Sequence, residues 1–347
     1  MDRSGQHRCC DPFLLKGIAL LCLLSTGAPL CALAEVVKPL VLIDETATAN
    51  LSPHIKYFED PSNALQFDDL VASDTAVSFT SRGEDALNAG FSDSTFWGRV
   101  ALRNNSRRNQ WFFLIDYPLL DQLEAYLRYE NGQVRRIGVS GDKRRFGIRP
   151  IKVALSVFEM DIPTGEEVTL YFSVRSEGTI CIPASLHSGN DIMALLAKRS
   201  SYQGLYFGLV ILLVLYGLVF FFYFRRPHYL VFTGLSGGQL IWLLGESGFL
   251  FQYVFPNWPE ACDLVMVASL MAIAVLGFYM NYIFLHRALS AFEKRILTWS
   301  IGVSASLLVA ALFIPYGPAV RLGVGIQFVY MLMSFWLSLS ALFRGYM

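Results

Sequence analysis

Long uninterrupted apolar runs fill the second half of this chain, whereas the first half contains only short ones. The run at 204–224 carries no charged residue, and roughly twenty apolar residues are enough for a helix to cross a bilayer core. Arg225 and Arg226 follow it directly, and basic residues favour the cytoplasmic side of a membrane. The pattern therefore predicts a membrane helix with the N-terminal half of the chain on the outer side.

Further apolar runs predict a bundle of membrane helices over 204–347. The basic residues between the runs alternate in the way that successive crossings require, apart from Arg321. After the first span, four more are predicted at 229–250, 264–285, 296–314 and 322–343.

The segment just before the first span is predicted to be a short juxtamembrane helix. Residues 191–203 carry an apolar stripe at helical spacing, and either Ser188 or Asn190 can cap the helix. Nothing in the sequence breaks the pattern at 204, so this helix is expected to continue into the membrane. A continuous helix can transmit a tilt or a shift along its axis.

Residues 35–190 show the short alternating runs of an all-β sandwich. In the run at 169–176, Leu170, Phe172 and Val174 alternate with polar or aromatic positions, which is the period of a strand with one buried face. The run at 122–129 repeats the pattern, and Asn131-Gly132 then predicts a hairpin turn. The remaining strands are predicted at 97–104, 111–117, 133–137 and 153–160, and no helical period of useful length is expected before residue 191.

The first 34 residues resemble an export signal. A basic leader precedes an apolar stretch at 17–30, and small residues at 32–34 provide a cleavage site before Glu35. An uncleaved anchor and a lipoprotein signal at Cys31 are the alternatives. Cleavage would leave only Cys181 and Cys262, which could form a disulfide on an oxidising side or remain as separate buried thiols.

Composition supports a membrane protein and gives no support to nucleic-acid binding. The apolar fraction is 54% and the charged fraction is 16%, which is too apolar for an ordinary soluble protein. Basic and acidic residues balance at 28 each, without the basic excess that nucleic acids attract.

Motifs for chemistry are scarce. The sequence contains no phosphate-binding glycine loop, nucleophile elbow or paired metal ligands, so we expect no catalytic residue, metal or cofactor. His54 and His187 are isolated histidines, and the run Lys143-Arg144-Arg145 is interpreted as a solvated loop that could also meet an anionic ligand. Aromatic and basic side chains could instead bind a small polar ligand by stacking and hydrogen bonds, although strand aromatics more often pack in a core. The candidate ligand-binding residues are Trp97, Arg99, Tyr117, Tyr126, Arg149 and Tyr171.

Glu246 is the ionisable residue within the predicted spans that merits attention. An acid inside a membrane is a functional candidate by default, but Glu246 lies near the outer end of its span and could reach water. Gln239, Asn281 and Gln327 are interpreted as sites of hydrogen bonding between helices. A transporter would need more charge near the membrane midplane.

Residue patterns in both halves resemble the bacterial seven-transmembrane receptors with diverse intracellular signalling modules. No single motif decides the resemblance, but the order and spacing agree over most of the mature chain. The similar features are Phe96-Trp97-Gly98-Arg99, Trp111 through Asp121, Gly141-Asp142 before Arg149-Pro150, Thr169-Leu170-Tyr171 before Ile182-Pro183, Gly204 through Gly208, Leu215-Tyr216, His228-Tyr229-Leu230, and Gly248 before Pro256.

The resemblance implies a periplasmic jelly-roll sandwich, similar to carbohydrate-binding modules, that senses a small ligand and controls a cytoplasmic output domain through helices in the bacterial inner membrane. Family outputs are often diguanylate cyclases or histidine kinases. This chain departs from the pattern, because we count five spans rather than seven and find no output domain after Arg344. We therefore expect a receptor without its own enzyme activity, in contact with membrane lipid. The alternative is an accessory or scaffold protein that binds a periplasmic protein.

Overall fold

The computed structural model describes residues 39–72, 77–81, 83 and 85–344. The predicted signal peptide lies outside these residues. Within them, strands precede residue 188 and long helices follow it.

Two main sheets form the N-terminal part. The strands are β1 Leu40–Leu42, β2 Thr48–Asn50, β3 Lys56–Asp60, β4 Thr80–Ser81, β5 Leu87–Phe91, β6 Thr95–Asn104, β7 Gln110–Ile115, β8 Gln122–Tyr129, β9 Val134–Ser140, β10 Ser156–Asp161, β11 Glu167–Arg175, β12 Thr179–Ile182 and β13 Ala184–His187. The larger sheet has the order β4–β3–β6–β11–β8–β9, with β1 parallel to the end of β6; the smaller has the order β10–β7–β13–β2, and β12 pairs with β5.

The hydrophobic core lies between these sheets and confirms the all-β sandwich. Leu170, Phe172 and Val174 are fully buried in it, as the alternation in this strand predicted. Leu123, Ala125 and Leu127 of β8 are buried beside them, and Trp111, Phe113 and Phe158 come from the opposite sheet. Since β-strands expose alternate side chains on opposite faces, the remaining residues of β6, β8 and β11 form an outer face.

A short helix on that outer face was missed by the sequence reasoning. Helix α1, Phe67–Ala72, has six residues, too few to show a helical period. Its Phe67 and Leu70 are buried against the outer face, close to Trp97 and Tyr171. The helix depends on these contacts, because isolated helices of this length are not stable in water.

Five long helices follow the sandwich. They are α2 Gly189–Phe224, α3 Pro227–Glu246, α4 Pro259–Leu285, α5 Ala291–Ala311 and α6 Tyr316–Phe343, with a π-helical turn at Leu250–Val254 between α3 and α4.

Helix α2 joins the predicted juxtamembrane helix and the first predicted span in one element. It contains 36 residues, which is about 54 Å at 1.5 Å per residue. Ser188 is the cap, and its side chain accepts the N–H of Asp191. Of the described helices, α2, α4 and α6 are long and apolar enough to cross a membrane. The predicted spans at 229–250 and 296–314 correspond to α3 and α5, which are shorter or less apolar.

Substituting Gly98 should test the packing of the sandwich core. A Cβ at this position would lie 2.2 Å from Cζ of Phe172, which is fully buried. Overpacking of this kind costs roughly 1–3 kcal/mol, so Gly98→Ala should lower the thermal unfolding temperature by several degrees. Gly147→Ala is the control, because its Cβ would meet nothing within 4 Å. Equal melting curves for the two variants would contradict this account of the core.

Candidate sensor pocket and its junction with the helices

Four of the six candidate ligand-binding residues share the outer face of the larger sheet. Trp97 and Arg99 are on β6, Tyr126 is on β8 and Tyr171 is on β11, and these strands are neighbours. Phe67 of α1 stacks on Tyr126 with ring centroids 4.2 Å apart and meets Tyr171 edge-on at 5.6 Å. The short helix therefore forms one wall above the aromatic side chains of the sheet.

A pocket of about 460 Å³ opens beside this aromatic group. We call it the outer-face pocket. Trp97 and Tyr126 line it, whereas Arg99 and Tyr171 lie on the same face without lining it; the Arg99 guanidinium lies 4.5 Å from the ring centroid of Phe79. The other lining residues are Leu65, Gln66, Phe67, Asp68, Thr95, Glu124, Arg136 and Ser173.

The polar groups of the pocket are partly paired with one another. Glu124 Oε2 accepts the Tyr126 hydroxyl at 2.7 Å and forms an ion pair with Arg136 at 2.9 Å. Burial and the bond to Glu124 raise the pKa of Tyr126 to about 12, so the phenol remains protonated at neutral pH. The indole N–H of Trp97 is buried and has no hydrogen-bond partner within the described part of the chain, and such a donor is costly unless a ligand or water supplies an acceptor.

Glu124 and Arg136 were not singled out by the sequence reasoning. Glu124 lies two residues before Tyr126 on β8, and Arg136 of β9 pairs with Tyr126. The alternation that identified the buried face of these strands could therefore also have identified their outward residues. Asp68 and Phe67 belong to the short helix that the sequence reasoning missed.

Tyr117 and Arg149 lie away from the outer-face pocket. Tyr117 packs against the sandwich core, and burial raises its pKa to about 12. Arg149 is 3% exposed and donates to the carbonyls of Val153 and Ala154 at 3.0 and 2.7 Å. Burial lowers the pKa of Arg149 to about 10, which leaves the guanidinium charged at neutral pH. The structure therefore divides the six predicted residues between two places.

Arg149 belongs to a loop that contacts the helices. This loop, residues 141–155, joins β9 to β10, and its ends are fastened by a 2.8 Å hydrogen bond between the hydroxyls of Ser140 and Ser156. We call it the junction loop. Phe146 in the loop donates its N–H to the Pro256 carbonyl at 2.8 Å and meets the ring of Phe251 edge-on at 5.6 Å. The Arg149 guanidinium lies 5.2 and 5.3 Å from the centroids of these two rings.

Lys143 connects the junction loop to α4 and α6. Its ammonium forms an ion pair with Asp263 of α4 and lies 4.5 Å from the ring centroid of Tyr316, the first residue of α6. Burial acts to lower the pKa of Lys143, but the hydrogen bond and charge of Asp263 outweigh it and the pKa is raised. The interpretation of Lys143 as part of a solvated loop was therefore wrong, although Arg144 and Arg145 beside it are exposed.

Two further carboxyl groups lie close to Lys143. Asp121 accepts the hydroxyl of Ser176 at 3.0 Å and the N–H of Glu177 at 2.9 Å. Asp142 has one carboxylate oxygen that is buried without a partner in the described part of the structure. Burial raises the pKa of Asp121, and burial together with the charges of Asp121 and Asp263 raises the pKa of Asp142 well above its usual value.

Helix α2 packs against the smaller sheet and against the end of the junction loop. Ile192 is buried with Leu114, Leu155 and Val157, and Arg199 forms an ion pair with Asp116 just after β7. Beyond the start of α2 and the junction loop, the sandwich also contacts the helices at Phe91, which lies under Arg321 of α6, and at Glu177, which lies beside Gly317.

A single hairpin connects the outer-face pocket to the junction loop. Strand β8 starts just after Asp121 and carries Glu124, and β9 carries Arg136 and ends where the junction loop begins. Gly141 lies five residues after Arg136, a distance of about 17 Å in extended conformation. Pairing of the two strands shifts register between Ala125 and Tyr126, and such a bulge re-aims side chains near functional sites.

Of the other residues singled out from the sequence, some have hydrogen-bond partners, whereas the side-chain oxygen of Gln327 is buried without one in the described part of the chain. His187 is buried, and its ring nitrogens bond to the hydroxyls of Thr48 and Ser185. Cys181 and Cys262 are both free thiols. Glu246 is the exposed last residue of α3, a position that suits contact with water. Asn281 bonds to Ser334 at 2.6 Å, joining α4 to α6.

Two family models match the chain. The one described as 7TMR-DISM extracellular 2 matches residues 52–188, and the one described as 7TM diverse intracellular signalling matches residues 199–347. The first covers the sandwich with its pocket, and the second covers nearly all of the long helices. The chain belongs to the 7TMR-DISM receptors. A comparison with curated proteins returned no match.

The family assigns a role to each half of the structure. In this 7TMR-DISM receptor the sandwich is the extracellular sensor domain and the helices form the membrane domain. Neither matched domain is a catalytic one. The junction loop and the start of α2 are therefore two of the places where the sensor domain contacts the membrane domain.

Removing the Lys143 charge should loosen the junction. Lys143→Gln leaves Asp263 without its ion pair in a site where these side chains are only 24% and 14% exposed, which we expect to cost roughly 2–4 kcal/mol. The thermal unfolding temperature should fall, and the rate of hydrogen exchange in residues 141–155 should rise.

Arg144→Gln is the matched control, because Arg144 is the exposed neighbour in the same basic run. Combining Lys143→Gln with Asp263→Asn should restore part of the loss, since contacting residues are energetically coupled. Purely additive effects of the two changes would rule out the ion pair as a stabilising contact.

Stability of the junction should fall as pH rises, because of Asp142. Its raised pKa means that the folded protein keeps a proton that the unfolded chain, with a pKa near 3.9, has lost. The contribution of Asp142 to stability is therefore fully present below the unfolded pKa and is lost as pH rises through the folded pKa. Asp142→Asn should raise the melting temperature at pH 8 and reduce the difference between pH 5.5 and pH 8.

Asp161→Asn, at an exposed position, is the control for this pH dependence. It should leave the pH profile of the melting temperature unchanged. If Asp142→Asn also left the profile unchanged, the buried carboxyl would not be the titrating group.

Proposed function

We propose that this chain is a multi-pass receptor of the bacterial inner membrane that binds a small ligand in the outer-face pocket and relays the event through the junction loop. The observation that carries the proposal is the β8–β9 hairpin, which contributes Glu124, Tyr126 and Arg136 to the pocket and runs directly into the junction loop. In this proposal residues 1–34 direct the sandwich to the periplasm and are removed.

The lining of the pocket suits a neutral hydroxylated ring. Trp97 and Phe67 offer apolar surface, Glu124 and Asp68 accept hydroxyl groups, and Arg136 and the Trp97 indole donate hydrogen bonds. The acidic and basic groups of the pocket partly neutralise each other, which favours an uncharged ligand. A carbohydrate is therefore the first ligand class to test, with Arg99 and Tyr171 supporting the aromatic wall from the same face.

The relay follows the contacts of the hairpin. A ligand that moves Glu124 or Arg136 would shift the ends of β8 and β9, where the Asp121 carbonyl accepts the N–H of Lys143 and the junction loop begins. Lys143 would pass the shift to α4 and α6, and Phe146 would pass it to Phe251. Such coupling requires the ligand to bind two arrangements with different affinity. The response would be read by a cytoplasmic signalling domain or protein.

A panel of sugars and small metabolites should identify a ligand by thermal shift of the full chain in detergent. A ligand at 100 times its Kd stabilises the folded state by about 2.7 kcal/mol, which is a shift of several degrees. Arg136→Gln should reduce this shift, because Arg136 lines the pocket. Arg135→Gln, its exposed neighbour on β9, should not.

The relay has a separate readout. The same ligand should change hydrogen exchange in 141–155, and Lys143→Gln should alter that change while leaving ligand affinity intact. No stabilisation by any panel member, combined with a stoichiometric periplasmic protein in pull-downs from detergent extract, would favour the accessory or scaffold function instead.

A further inference from the structure

Two open grooves flank α5 in the membrane domain. One, of about 700 Å³, includes Tyr282 of α4 and Gly302 of α5. The other, of about 750 Å³, lies between α5 and α6 and includes Gly325. Trp299 and Val303 line both grooves, so they form a ridge between two parallel channels.

Glycines in these grooves differ from those that pack helices together. A Cβ at Gly277 would meet Tyr330 at 2.5 Å, and one at Gly323 would meet Leu270 at 2.6 Å. Gly302 and Gly325 have nothing within 4 Å of that position. These two glycines therefore keep the channels open instead of allowing close contact between helices.

Both channels have basic side chains at one end. Arg295 lines both grooves and Lys294 lines the first. Neither makes an ion pair with any described residue. The neighbouring acid, Glu293, is already bonded to Arg344 at 2.6 Å and to Ser340 at 2.7 Å. One end of the grooves therefore carries two positive charges without an acidic partner in the described part of the structure. Arg321 also lines the second groove, and its guanidinium lies 4.6 Å from the ring centroid of Phe91, on the side of the sandwich.

The grooves extend from one end of the bundle over slightly more than one leaflet of a bilayer. Along α5 the first groove runs from Lys294 to Leu307 and the second from Phe292 to Ser304, which is about 18–20 Å, against a hydrocarbon core about 30 Å thick. Helix α4 runs from the sandwich at Asp263 to Leu285, and α5 begins shortly after it. The two cations therefore lie at the end of the bundle remote from the sandwich, where basic residues face anionic lipid headgroups.

We propose that this site binds one phospholipid with an anionic headgroup. Its phosphate lies between Lys294 and Arg295, and its two acyl chains occupy the channels on either side of the Trp299–Val303 ridge. A transmembrane helix about 10 Å wide would cover the ridge without filling both channels, so two thin chains joined at one charged head fit the shape better.

The test is native mass spectrometry of the delipidated full chain titrated with phosphatidylglycerol or phosphatidylcholine. One phosphatidylglycerol should be retained with higher affinity than phosphatidylcholine. Combining Lys294→Gln with Arg295→Gln should weaken phosphatidylglycerol binding roughly 30-fold, since each cation near an anionic lipid contributes a factor of about 5. The matched control is Arg225→Gln with Arg226→Gln, which removes two charges from the same end of the bundle outside the grooves.

Filling the channels tests the acyl-chain part of the proposal. Gly302→Leu combined with Gly325→Leu should reduce retention of both lipids, with an unchanged melting temperature showing that the bundle is intact. Gly208→Leu, which also places its side chain in open space, should not reduce it. Equal retention of the two lipids, no effect of the charge variants, or displacement of bound lipid by a copurifying membrane protein would each overturn the proposal.

Discussion

The contact between Lys143 and Asp263 is the interaction on which the placement of the junction loop against the helices depends. A single ammonium group meets a carboxylate of α4 and the ring of Tyr316 at the start of α6. Charges that are mostly removed from water are held only if they are paired. Sliding the junction loop along the helices would break this ion pair and leave its charges unpaired. The pair therefore fixes the loop at the outer ends of α4 and α6.

The ion pair lies among further acidic groups and beside a cavity. Asp121 and Asp142 place further acidic groups beside one lysine, and Asp142 keeps an oxygen without a partner in the described residues. A cavity of about 240 Å³ lies next to Lys143 and Asp263, so this part of the interface is not close-packed. By contrast, the start of α2 is held by apolar contacts of Ile192 with the smaller sheet. The sandwich is thus attached to the helices through an apolar contact and through an electrostatic contact that lies beside a cavity.

Local periodicity revealed the strands and the long helices, and it failed where distant segments meet. Leu170, Phe172 and Val174 were identified as core residues because the alternation of apolar and polar positions lies within one strand. Lys143 was misread, because its partner Asp263 lies 120 residues away and no local pattern connects them. Arg149 was recognised as notable but placed with Trp97 and Tyr126, although it stabilises the junction loop. Helix α1 escaped notice because six residues are too few for a period, and the pocket wall that it forms was missed with it.

Helix α2 is a single element from its Ser188 cap to Phe224, and this sets a rule for how the receptor can vary. One residue inserted near 200 would rotate every later side chain of the helix by about 100° about its axis. The face that packs on α3 would then turn toward lipid, although no contact of the sandwich had changed. An insertion in this segment therefore preserves helix packing only when its length is close to a whole number of helical turns. Relatives that lengthen the segment are expected to do so by three, four or seven residues.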